Sequence, residues 1–126
     1  MFDNERLVDE FAWSLRYAFP DLRMTRDVDH CFAQVELGDG LAFRLHRLDG
    51  TRFVLAEVAW ASSKDGFDGP WFFVTDCNDD DLSATADIGD VRTVLELSVV
   101  LESLCGDLKR FHARIKAEGV RLHVFA

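Results

Sequence analysis

The feature that most constrains the fold is a long apolar stripe in the last third of the chain. Its members recur at alternating intervals of three and four residues, and they are Val94, Leu97, Leu101, Leu104, Leu108, Phe111 and Ile115. This spacing is typical of one side of an α-helix and predicts a helix over about 91–117. Asp87 or Asp90 is expected to cap its start, and Gly119 can provide its exit. The stripe spans three heptads without regular opposite charges beside it, which favours packing on the domain's own sheet over a coiled-coil dimer.

The preceding residues alternate with a period of two, as strands do. Three runs, about 30–37, 41–46 and 52–60, are separated by the turn signals Gly38-Asp39-Gly40 and Asp49-Gly50. A fourth strand is predicted at 71–75 after a loop over 61–70. The alternating segment 120–125 predicts a last strand, whereas 21–29 is expected to be a loop.

A shorter helical pattern occurs near the start of the chain. Apolar residues at helical spacing from Leu7 to Phe19 predict a first helix over about 4–19, capped by Asp3 or Asn4 and ended by Pro20. A chain of 126 residues accommodates one core. The expected architecture is a single α+β domain over 1–126, with an N-terminal helix, a four-stranded antiparallel meander, a long helix packed on the sheet and a C-terminal strand.

Both predicted helices carry apolar residues on a second side. Phe2, Trp13 and Tyr17 fall opposite the main stripe of the first helix, and Leu95 and Val99 fall on the far side of the second. The aromatic group is expected to pack under the 21–29 loop or a strand of the same domain, with a partner interface as the alternative. Leu95 and Val99 require a cover from the acidic loop, the first helix or another protein.

The net charge is −9, and most of it lies in one segment. Nine acidic residues occur between Glu57 and Asp90 against Lys64 alone, so this stretch carries −8. Such a charge opposes attraction to nucleic acid or anionic lipid and favours a basic partner. The one local basic group besides the end of the long helix is Arg44, His46, Arg47 and Arg52, and it lacks interleaved stacking aromatics.

No motif in the chain indicates catalysis, a cofactor or a metal. The acidic segment from Asp76 to Asp87 partly matches a calcium loop, but Asp81 replaces the turn glycine and Ser83 replaces the apolar anchor. No nucleophile elbow or phosphate-binding turn occurs. Three separated cysteines, an N-terminus without a signal pattern and the absence of a long apolar run predict a cytoplasmic protein outside the membrane.

In size, acidity and expected α+β architecture the chain resembles bacterial immunity proteins of toxin–immunity pairs. The resemblance implies a small acidic protein, monomeric or homodimeric, that neutralises a basic toxin such as a nuclease. The expected contact surface is Asp76, Asp79, Asp80, Asp81, Asp87 and Asp90, with Trp13 and Tyr17 as a secondary anchor. Charge reversal at 79–81 is expected to weaken binding more than Trp13→Ala.

Two other functions stay open at this point. A secretion chaperone or homo-oligomeric scaffold would use the apolar second sides of the helices, although such chaperones usually end in a helix rather than a strand. A small α+β enzyme or ligand-binding domain would need a polar cluster inside a pocket.

Overall fold

The computed structural model describes residues 2–37, 40–60, 72–73 and 85–118. The elements in this part of the chain are α1 Asn4–Ala18, β1 Arg23–Asp27, β2 Phe32–Glu36, β3 Leu41–Arg47, β4 Phe53–Trp60, β5 Phe72–Phe73, β6 Thr85–Asp87 and α2 Val94–Glu118. The strands form one antiparallel sheet, and both helices pack on the same face of it. The predicted α+β fold, with a first helix, a meander and a long helix on the sheet, is confirmed.

The first four strands are neighbours in chain order, so β1 to β4 form a simple meander. The two short strands both pair with β4, β5 opposite Glu57 and Val58 and β6 opposite Phe53 to Leu55. They therefore lie one after the other along the same edge of β4. This arrangement brings the residues just before α2 back to the sheet.

Two strands were not predicted from the sequence. The expected 21–29 loop contains β1, whose residues are mostly exposed, so it lacks the apolar alternation that marks a half-buried strand. β6 is only three residues long and follows the acidic segment, where no apolar pattern indicates a strand. Of the predicted strand at 71–75 the structure describes Phe72 and Phe73, and the predicted strand at 120–125 lies outside the described residues.

The helix starts are set by side-chain caps. The Asp3 carboxylate accepts a hydrogen bond from the Arg6 amide at 2.8 Å, as predicted for α1. The expected cap of α2 at Asp87 or Asp90 is wrong, because the Thr93 hydroxyl accepts from the Glu96 amide at 3.1 Å. Thr93 adjoins the first helical residue, whereas Asp87 belongs to β6 and Asp90 to the turn after it.

The core lies between the helices and the sheet. The α2 stripe from Leu97 to Phe111 is buried against it, with the partly buried Ile115 at its end. Phe43 of β3 lies near the centre, with its ring 5.6 Å from that of Phe19 and 6.2 Å from that of Phe111. Burial of these large rings supplies much of the hydrophobic stabilisation, and it fixes which side of each helix faces outward.

Candidate functional site

The outward side of α1 carries two exposed aromatic residues. Trp13 is 66% exposed and Tyr17 is 82% exposed, while Phe11 and Leu15 on the inner side are completely buried. The expectation that the 21–29 loop or a strand of the same domain covers these aromatics is wrong, because both side chains are mostly exposed. The 21–29 segment instead contains β1, which pairs with β2. Phe2 differs from them, since it is partly buried and packs against the core.

The outward side of α2 also exposes apolar residues. Leu95 is 76% exposed and Val99 is 60% exposed, one helical turn apart. The first helix packs beside α2 but does not cover them. Of the expected covers, α1 is therefore eliminated.

A groove of about 420 Å³ separates the two helices on this outward side. Its lining is Trp13, Ser14, Tyr17 and Ala18 from α1, with Ser98, Glu102, Cys105, Gly106 and Lys109 from α2. Gly106 contributes no side chain to the groove, and α2 continues through it. The groove and the exposed apolar residues of both helices constitute the outer helical face.

The charge of the outer helical face is uneven along α2. Residues 93–108 include no lysine or arginine, and Glu96 and Glu102 are exposed there. Basic residues are concentrated in the last turns, beginning with Lys109 and Arg110. The apolar part of the face is thus bordered by negative charge, which complements a partner with basic residues around an apolar patch.

The predicted acidic surface is described only in part. Asp76, Asp79, Asp80 and Asp81 lie outside the described residues. Asp87 and Asp90 are exposed, and neither lines the groove between the helices. Asp87 is already engaged, because one carboxylate oxygen lies 2.9 Å from Nε of Arg52 and the other accepts from the Gly89 amide.

The four basic residues singled out in the sequence do not form one patch. Arg44 and His46 point to the face of the sheet opposite the helices, whereas Arg47 bonds to Asn4 of α1 and Arg52 pairs with Asp87. Each is engaged by a different neighbour. These four residues therefore do not form a continuous cationic surface of the kind that a nucleic acid backbone needs.

Arg44 and His46 instead join a polar network on the face of the sheet opposite α1 and α2. Arg44 donates from Nη2 to Oε1 of Gln34 at 2.7 Å, and its guanidinium carbon lies 3.7 Å from the centre of the Phe32 ring. Nδ1 of His46 lies 2.8 Å from Oε1 of the buried Glu57. Burial lowers the pKa of Arg44, while Glu57 and Asp27 oppose that shift.

The sequence does not reveal this network, because the pattern within each strand does not specify the register in which β3 and β4 pair. Period-two alternation places Arg44 and His46 on one face of β3, but only the register brings Glu57 of β4 beside them. A buried carboxylate on Nδ1 orients an imidazole, which is an arrangement used both in catalytic sites and in structural networks.

The described cysteines are not activated nucleophiles. Burial raises the pKa of the Cys105 thiol to about 12 and also raises that of Cys31, so both are protonated at neutral pH. Within residues 2–37, 40–60, 72–73 and 85–118, no three His, Cys, Asp or Glu side chains are arranged to hold a metal ion. Neither helix in those ranges is both long and apolar enough to cross a membrane.

Comparisons with protein-family models, with curated proteins and with solved structures find no match for this chain.

Proposed function

We propose that this chain is a small acidic binding protein that neutralises a basic protein partner, in the manner of a bacterial immunity protein, and acts in the cytoplasm. The observation that carries the proposal is the exposure of Trp13 and Tyr17 beside a groove. Tryptophan and tyrosine are enriched among the residues that dominate binding energy at protein interfaces. An exposed pair of them on one side of a helix is an anchor available to a partner.

Charge supports a basic partner rather than an acidic one. The net charge of −9 attracts a cationic protein over several ångströms, and Glu96 and Glu102 border the apolar residues of α2. In this proposal the aromatic residues provide contact area, and the acidic segment that includes Asp79 to Asp81 accelerates association. The outer helical face thus becomes the main anchor, where the sequence suggested a secondary one.

The test is capture of the partner from the source cell's cytoplasm on the immobilised full chain, at low and at high salt, with identification by mass spectrometry. We expect a basic protein that is released by high salt. Trp13→Ala and Tyr17→Ala should each reduce its retention about tenfold or more. Leu48→Ala is the matched control, because Leu48 is 39% exposed at the β3–β4 turn, away from the groove.

Three outcomes would contradict the proposal: capture of an acidic protein, retention that salt does not change, or retention that the aromatic variants do not change. Reversal of charge at Asp79, Asp80 and Asp81 then distinguishes electrostatic attraction during association from direct contact in the complex. It should slow association and reduce its salt dependence, while Trp13→Ala should mainly accelerate dissociation.

A second candidate function is a homo-oligomeric scaffold or secretion chaperone, and the exposure of Leu95 and Val99 favours it. Under this hypothesis α2 pairs with another copy or with a client through its first half. Leu95→Glu and Val99→Glu would then convert a dimer to a monomer in sedimentation measurements. A wild-type chain that sediments as a monomer at high concentration would contradict self-association.

A further inference from the structure

A second cavity lies away from the outer helical face, where three parts of the chain meet. It is open to solvent and has a volume of about 600 Å³, between the start of α1, the β3–β4 turn and the connection from β6 to α2. Phe2, Leu7, Phe53 and Ile88 give it an apolar lining, and Arg47 and Arg52 also reach it. This volume is within the range of small-molecule sites, which combine apolar walls with a few polar groups.

The two arginines of this cavity differ in their partners. Nε of Arg52 pairs with Asp87 at 2.9 Å, so its charge is balanced within the protein. Arg47 makes no ion pair with a carboxylate in the part of the chain that the structure describes. Its Nη2 donates to the neutral Asn4 side chain at 2.6 Å, and its Nε is buried without any hydrogen-bond partner.

An unbalanced guanidinium at this position is costly. A buried donor without an acceptor loses its hydration without compensation. Asn4 is also the first residue of α1, so Arg47 lies near the positive end of the helix dipole. Cys31, whose thiol adjoins Arg47, stays protonated because burial raises its pKa, and it brings no negative charge.

We propose that this cavity binds a small monoanionic carboxylate with an apolar body, and that Arg47 pairs with the carboxylate. Among the described residues that line the cavity, Arg47 is the one arginine without a carboxylate partner, which favours a ligand with one negative charge rather than two. The walls formed by Phe2, Phe53 and Ile88 select an apolar body rather than a hydrated anion such as phosphate. The site is independent of the outer helical face, because the two cavities share no lining residue.

The first experiment titrates the full wild-type chain with decanoate, with decanol as the neutral analogue and with inorganic phosphate, followed by backbone amide NMR shifts. We expect decanoate to bind at least about tenfold more tightly than decanol, and phosphate to be weaker than both. The shifts should be largest at Phe2, Phe53 and Ile88. Equal binding of decanoate and decanol, absence of binding, or shifts centred on Trp13 would overturn the proposal.

The second experiment distinguishes the contribution of the Arg47 charge from that of the cavity volume. Arg47→Gln should weaken the binding of decanoate about tenfold or more and leave the binding of decanol unchanged. Ile88→Trp should weaken the binding of both compounds, because the larger side chain fills the cavity. Arg26→Gln is the matched control, because Arg26 is an exposed arginine of β1 that pairs with Asp9. An Arg47→Gln protein that binds decanoate like wild type would overturn the assignment. If that variant fails to fold, the wild-type preference for decanoate over decanol and its shift map decide the proposal.

Discussion

On α1, residues two positions apart meet opposite environments. Phe11 is completely buried on the side of α1 that faces the sheet, while Trp13 is 66% exposed on the outer side. Both are large aromatic residues, so hydrophobicity alone does not distinguish them. The difference is the direction each side chain takes from the helix, which is set by a rotation of about 200° over two residues. Aromatic residues of α1 therefore contribute to the core only on the side that the sheet covers.

The largest expected effect comes from truncating the two aromatics in turn. Phe11→Ala should lower the free energy of unfolding by about 3–5 kcal/mol, because it removes a buried ring and leaves a cavity. Trp13→Ala should change it by about 0.5 kcal/mol or less, because the ring is mostly in solvent. Urea denaturation of both variants measures the contrast. Equal losses of unfolding free energy in the two variants would show that the Trp13 ring is packed against the protein in solution.

A smaller effect is expected at Gly106, which lies at the groove rather than in the core. Gly106→Ala should stabilise the protein by about 0.5–1 kcal/mol through helix propensity. The added Cβ meets only an ordinary contact, 3.6 Å from Nη1 of Arg110. Because it also fills part of the groove, the same variant should weaken partner binding. Thermal unfolding and partner capture measured together check this, and a destabilised variant would contradict it.

Asp107 is a buried carboxyl group on α2, so its substitution tests how much a buried charge costs the folded state. Its side chain is almost completely buried and contacts Arg110, and burial raises the pKa of the carboxyl despite that partner. The folded state therefore holds the proton more tightly than the unfolded state, whose pKa is 3.8, so ionisation costs stability as pH rises through the folded pKa. Asp107→Asn should gain stability relative to wild type from about pH 4 upward. Urea denaturation of both proteins across acidic pH measures this. A difference in unfolding free energy between variant and wild type that does not change with pH would contradict it.

The smallest effect is expected at the β1–β2 turn, where the side chain of His30 is mostly exposed. The Asp27 carboxylate accepts from the His30 amide and lies 2.9 Å from Nδ1 of His30. These contacts lower the pKa of Asp27, the backbone bond contributing most, and the bond to Asp27 raises the pKa of His30.

The turn is therefore most stable between the two titrations. The Asp27 contribution is present above pH 3.8 and is lost as pH falls through its folded pKa. The His30 contribution is present below pH 6.5 and is lost as pH rises through its folded pKa. An NMR titration should place the His30 midpoint above 6.5, and Asp27→Asn should return it toward that value. A midpoint unchanged by that substitution would show that Asp27 does not set it.

The regular elements with a strong apolar period were predictable, and the elements without one were not. The stripe from Leu97 to Phe111 specified α2 and its buried side, because a periodic pattern reports one-sided burial. β1 and β6 escaped prediction because backbone pairing holds them while their side chains remain largely exposed. The candidate sites were harder still. The sequence places Trp13 and Tyr17 on a second side of α1 but favours their cover within the domain, whereas both are exposed.

The amino-acid sequence by itself determined the α+β class, both helices, the central strands and the strong negative charge. These follow from local periodicity, capping and composition, which act within a few turns of the chain. Only the tertiary structure decided that Trp13 and Tyr17 stay exposed, that His46 meets Glu57, and that Arg47 faces a cavity without a carboxylate partner among the described residues. Each depends on strand register or on the docking of distant segments, since these determine which side chains share a surface and which reach water.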